Sequence, residues 1–218
     1  MDACSGWDAG RADSMMKVRL DWEHRARMAA IPFFWRLRQR RDHRSGRVVA
    51  VIECALNQNA RDFGAARFPA ANNQIVDLLR RYEVGIVQIA CPEIACLGLK
   101  RSRPSGMSLR AAMETPTSRE RCASLAKDTA TRLQEYVKNG VKVIAILGGD
   151  TGSPGCAVLE GPCGTGLAEN SGVFIKALAV ALSEYDVTIP FRGLRDSSVK
   201  TLSQDVEWLE AQLKHEPA

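Results

Sequence analysis

The chain reads as an α/β protein with a Rossmann-like, doubly wound, mostly parallel sheet and helices on both faces. Three observations predict this. Short apolar, β-branched runs alternate with longer amphipathic stretches from Arg47 onward. The runs are nearly continuous in apolar residues, as strands buried on both faces are. Strand–helix alternation with right-handed crossovers closes into one layered sheet.

The elements follow in order. Arg47–Glu53 (RVVAVIE) is the first strand. Asn73–Tyr82 is an amphipathic helix, with Ile75, Leu78, Leu79 and Tyr82 on one face. Gly85–Ala90 (GIVQIA) is a second buried strand. Ser118–Asn139 is a long helix whose inner side carries Ala123, Ala126, Ala130, Leu133 and Val137. It stops at Asn139–Gly140, a residue pair suited to a helix C-terminus. Val141–Leu147 is the third strand, Gly172–Tyr185 a helix, and Val187–Phe191 the fourth strand. Thr201–His215 is the last helix, capped by Thr201 or Ser203, with Val206, Leu209 and Leu213 inward.

The 218 residues accommodate one such domain, 46–218, preceded by a basic extension, 1–45. The net charge of +5 is carried entirely by residues 1–47, where eleven basic residues stand against six acidic ones. The body is formally neutral, which argues against a nucleic-acid-binding domain with a basic face. The extension mixes Trp22, Phe33, Phe34 and Trp35 with arginines. It reads either as a solvated or loosely docked arm or as a basic amphipathic helix for an acidic surface. No apolar run is long enough for a membrane span, and charges at Lys17, Arg19, Asp21 and Glu23 interrupt any secretory pattern. The expectation is a cytoplasmic protein whose seven cysteines are reduced thiols, ligands or catalytic groups.

Three cysteines stand where three strands end. Cys54 follows the first strand, Cys91 follows the second, and Cys156 lies in the loop leaving the third, Gly148–Cys156 (GGDTGSPGC). In a parallel sheet these ends share one edge, where ligands bind. Two readings are open. The thiols can converge on a cofactor; four cysteines saturate a [4Fe–4S] cluster, whereas three leave one iron free to act as a Lewis acid. They can also be small buried residues that pack as hydrophobes. No CxxC pair supports a zinc ribbon. Cys96 is either a fourth ligand or core, and Cys163 a thiol near the site or a bystander. Cys4 and Cys122 receive no role.

Other residues near the strand ends are candidates. Glu93 is a carboxylate beside the site that activates water, or a strand-end group paired with Arg101 or Lys100. Asp150 orients water or substrate, or stabilises its turn. Asn57 and Asn59 hydrogen-bond a pyrimidine edge or their own backbone. Gly161–Gly166 lacks a following lysine and is a weak phosphate loop. His24, His43 and His215 all lie away from the strand ends.

The loops Cys54–Asn59 (CALNQN), Cys91–Arg101 (CPEIACLGLKR) and Gly152–Val158 (GSPGCAV) resemble those of the 2-thiouracil desulfidase-like family, in the same chain order, between about Arg47 and Glu184. The resemblance implies an enzyme. In that family three cysteines hold a [4Fe–4S] cluster whose open iron takes the sulfur of a thiocarbonyl substrate, and water replaces it without net electron transfer. By motif position the ligands are Cys54, Cys91 and Cys156, with Glu93 as general base and Ser153 orienting substrate or water. The implied partner is a thiolated small molecule such as a thiopyrimidine. The last loop departs from the family's GSPSCG: Gly155 replaces a serine and Ala157 a glycine. The alternatives from other classes are a non-catalytic Fe–S or sulfide-binding protein, and a Rossmann-like small-molecule binding module with incidental cysteines.

Overall fold

A computed structural model describes residues 43–161 and 166–215. Internal packing divides the chain between Arg44 and Ser45, and the second unit is described here. The readings for the N-terminal extension, Cys4, His24 and Cys163 lie outside the described residues.

The fold is α/β. Strands β1 (Arg47–Ile52), β2 (Gly85–Ile89), β3 (Lys142–Gly148) and β4 (Phe191–Gly193) form one all-parallel sheet in the order β2-β1-β3-β4. A short helix α1 (Glu53–Leu56) and a 3₁₀ turn (Gln58–Ala60) follow β1. Helix α2 (Asn73–Arg81) leads to β2. Helices α3 (Pro92–Leu97), α4 (Leu109–Met113) and α5 (Pro116–Lys138) lead to β3. Helix α6 (Val173–Glu184) leads to β4, and α7 (Val199–His215) ends the described chain. Helix α5 packs on α6, and α2 packs on α7, so the sheet is covered by two helix pairs. The chain leaves β1 toward β2, then crosses back to β3. That reversal makes the β1/β3 crevice a switch point, where the ends of two neighbouring strands diverge and leave room for a ligand.

Local chemistry sets the element ends. Asn72 caps α2 by accepting from Ile75 N, and Thr115 caps α5 by accepting from Ser118 N, with Pro116 at the first helical position. Gly140 adopts φ 75° just past α5, where a side chain would be strained. Val49, Ala50, Val51, Ile146 and Leu147 are fully buried in the two central strands.

Four expectations need correction. β2 is an edge strand buried on one side only: Val87 and Ile89 are buried, while Gly85, Ile86 and Gln88 are exposed. The inner stripe of α5 runs through Ser118, Cys122, Ala126, Thr129, Ala130 and Leu133, and Ala123 and Val137 are exposed. Ala126, Ala130 and Leu133 are buried as expected, and the rest of the stripe is set by how the helix docks. The fourth strand is Phe191–Gly193 rather than 187–191. Val187 N instead closes the end of α6 by donating to Leu182 O, and Pro190 has no N–H, although its carbonyl accepts from Ile146 N. Helix α7 begins at Val199, so neither Thr201 nor Ser203 caps it; Thr201 Oγ1 donates to Arg195 O and Ser198 O.

Candidate functional site

Cys54, Cys91 and Cys156 line one cavity of about 350 Å³ at the C-terminal edge of the sheet. Each is placed by a different element. Cys54 is the second residue of α1, directly after β1. Cys91 is the N-cap of α3, and Pro92 starts that helix with a fixed φ. Cys156 closes the turn after β3, where Gly149 N donates to Cys156 O and Ser153 N to Asp150 O. The first two ends are tied together: Cys91 N donates to Glu53 Oε2 at 2.8 Å.

The closeness of Cys156 to the β3 end needs glycine. A Cβ on Gly149 would stand 2.5 Å from Cys156 Sγ. Gly155 is needed for a similar reason. A Cβ there would stand 2.9 Å from Pro92 Cγ and 3.1 Å from Glu93 Cγ, so the last cysteine loop packs directly on the first turn of α3. Ala157 is fully buried and is not part of the cavity wall.

Glu93 is 7% exposed and lines the cavity. Ser153 Oγ donates to its Oε1 at 2.7 Å, and Arg101 Nε lies 3.4 Å from its Oε2. The sequence pairing of Glu93 with Arg101 is therefore present, while Lys100 is exposed. Ser153 Oγ also accepts from Cys156 N at 3.1 Å and lies 3.2 Å from Cys156 Sγ. Arg101 is 2% exposed at φ 47°; it donates to Ala60 O at 2.6 Å and reaches Cys91 Sγ at 3.5 Å. A continuous polar path thus runs Cys156–Ser153–Glu93–Arg101–Cys91.

Asp150 lines the cavity as well, but its carboxylate is already engaged. Burial pushes its carboxyl up, yet hydrogen bonds from Thr151, Ser197 and Gly152 outweigh that and hold it below the ordinary carboxylate range. Through these bonds Asp150 holds its loop and brings Ser197 to the cavity edge. Asn57 and Asn59 bond each other instead of facing the cavity: Asn57 Oδ1 accepts from Asn59 N and Nδ2. Of the Gly161–Gly166 run, residues 162–165 lie outside the described residues. Cys96 does not line the cavity.

Sequence reasoning missed three contributors. Arg61 follows the CALNQN loop and forms a two-pronged ion pair with the buried Asp196. Its Nε is buried without a hydrogen-bond partner among the described residues. Burial opposes the charge of Arg61, but Asp196 and the neighbouring Cys54 favour it more strongly. Gln58 is buried and braces the Cys54 loop, donating to Cys54 O and accepting from Arg67 N. Position within the CALNQN motif was a signal for Gln58; nothing local marked Arg61 or Asp196.

The thiols are held neutral by their surroundings. Burial pushes Cys54 up to about 11; Arg61 offsets part of this, and Cys91, Asp196 and Glu93 add to it. Burial also raises Cys91, and raises Cys156 well above the ordinary thiol range, with the charge of Cys54 contributing to the latter. Three soft donors suit iron–sulfur, copper(I) or zinc. Among the described residues, however, no group of three or more His, Cys, Asp or Glu is drawn together around a single ion. The three thiols line the same cavity as the cationic Arg61 and Arg101. Three thiols and two arginines on one cavity wall form a donor set whose chemistry suits an anionic, thiolate-bound group.

No family model matches the chain, and no solved structure matches it. It is similar to uncharacterized protein MJ0003 of Methanocaldococcus jannaschii, with 34% identity over 100 residues, 46% of this chain. The aligned part spans 62% of that relative's own length. Among the described residues no helix is long and apolar enough to cross a membrane.

Proposed function

We propose that this chain is a non-redox desulfidase that replaces the sulfur of a thiocarbonyl compound with oxygen, using a [4Fe–4S] cluster held by Cys54, Cys91 and Cys156. The observation that carries the reading is the meeting of these three thiols around one cavity that also contains Glu93 and Ser153. The loop resemblance to the 2-thiouracil desulfidase-like family selects the reaction and makes a thiopyrimidine the first substrate class to test.

When bound, a cluster held by three thiolates supplies one iron as a Lewis acid for the substrate sulfur. Everything else falls to the chain. Overall, a thiocarbonyl and water give a carbonyl and hydrogen sulfide, and no electrons are transferred. Glu93 is the general base: its carboxylate takes a proton from the attacking water. Ser153 and Arg101 hold that carboxylate from its two oxygens, so it enters the reaction already oriented. Arg61 and Arg101 place positive charge beside thiolates that would otherwise repel one another. Burial of Cys91 and Cys156 limits access of bulk water and oxidants to the site.

The test is turnover under anaerobic conditions. Reconstituted protein incubated with 2-thiouracil is expected to release uracil and sulfide in equal amounts. A protein that takes up iron and sulfide yet converts no thiobase is a binding protein and not a desulfidase.

A further inference from the structure

Two cysteines stand outside this site and beside each other. Cys96 lies on α3, the helix whose N-cap is Cys91 and whose first turn holds Glu93. Its sulfur is 3.8 Å from Cys122 Sγ and 3.6 Å from Ser118 O, which lie one turn apart on α5. Neither sulfur lines the cavity. Cys96 is half-buried and Cys122 is 1% exposed. A half-buried cysteine with a fully buried second cysteine at van der Waals distance is the arrangement of an attacking and a resolving cysteine.

We propose that Cys96 and Cys122 are a redox-active dithiol, oxidised to an intrachain disulfide by a low-molecular-weight disulfide. The Cys96 thiolate attacks one sulfur of the oxidant and releases one small thiolate. The Cys122 thiolate then attacks Cys96 Sγ and releases the second. Two protein thiols and one small disulfide become one protein disulfide and two small thiols, so atoms and electrons balance. Cys96, the less buried of the two, is assigned the first attack. Burial and the neighbouring Cys96 hold the Cys122 thiol up at about 12, so it reacts second, within the mixed disulfide. The sulfurs must close from 3.8 Å to a bond of about 2.0 Å. The resulting bond ties α3 covalently to α5, and α3 is the helix that places Cys91 and Glu93 at the cavity. The pair therefore links the thiol–disulfide state of its surroundings to the geometry of the proposed site. It does not depend on the desulfidase reading.

The test uses the full chain, reduced anaerobically and then exposed to oxidised glutathione. Alkylation, proteolysis and mass spectrometry then locate the oxidised residues. The expected result is one linked peptide pair joining Cys96 to Cys122, with the loss of two free thiols. Cys122→Ala is expected to stop at a stable glutathione adduct on Cys96, and Cys96→Ala to leave Cys122 unmodified. A wild-type protein in which both residues remain alkylatable, or one whose disulfide joins other cysteines, overturns the proposal.

Discussion

Ser153 Oγ donates a hydrogen bond to Glu93 Oε1 at 2.7 Å, joining the loop after β3 to the first turn of α3. The same oxygen accepts from Cys156 N, so one hydroxyl fixes both a carboxylate and a thiol. Because Glu93 is the proposed base, Glu93→Gln should keep the cluster and lower turnover by a factor of ~10²–10⁴. Ser153→Ala removes the contacts to Glu93 and Cys156 but leaves the base itself in place, and should cost less. Steady-state release of uracil from 2-thiouracil, at matched iron content, measures both. Wild-type turnover in Glu93→Gln moves the base elsewhere.

Gly155 makes a further prediction, because a side chain there has no room. A Cβ would press on Pro92 and Glu93 at 2.9 and 3.1 Å. Overpacking of this kind costs typically ~1–3 kcal/mol. Gly155→Ala should therefore lower the melting temperature and, by displacing Glu93, reduce turnover as well. An unchanged melting temperature would mean that α3 moves aside freely.

The buried thiols predict a pH dependence for the cluster-free, reduced protein. Burial raises Cys54 from 9.0 to about 11 in the folded chain. A raised folded value means that the stabilisation is complete below the unfolded value and lost as pH rises through the folded one. Stability should fall as pH rises from about 9 to about 11, and the fall should be shallower in Cys54→Ala. Thermal unfolding across that range checks it; parallel curves for the two proteins would exclude Cys54 as a contributor.

Asp205 holds the segment between β4 and α7. It is fully buried on α7 and accepts from Arg192 Nε and Arg195 N, both at 2.8 Å. Removing one partner of a buried charge cluster typically costs ~3–5 kcal/mol. Asp205→Ala should destabilise the domain by about that amount, measured by urea unfolding. It also loosens the segment that brings Asp196 to Arg61 and Ser197 to Asp150.

Much of this was legible in the sequence, and the reasons are physical. Apolar runs located β1 and β3 to within a residue because central strands are buried on both faces. β2 misled because edge strands carry the same residues with one face open, as Ile86 does at 41% exposure. The start of β4 was obscured because a proline without an N–H and the closure of α6 share the segment before it. Cys54, Cys91 and Cys156 could be grouped because parallel strands deliver their ends to one edge. Asp196 could not be found, since its partner Arg61 is 135 residues away in the chain. The pairing of Cys96 with Cys122 was equally hidden: it depends on how α3 docks on α5, which no local pattern encodes.

The most direct measurement is iron and acid-labile sulfide in anaerobically reconstituted protein, compared with Cys54→Ala, Cys91→Ala and Cys156→Ala. About four irons per chain are expected in the wild type, and no stable incorporation in any of the three variants. A wild type that takes up no iron, or a Cys54→Ala variant that keeps a full and equally stable cluster, contradicts the three-thiolate site.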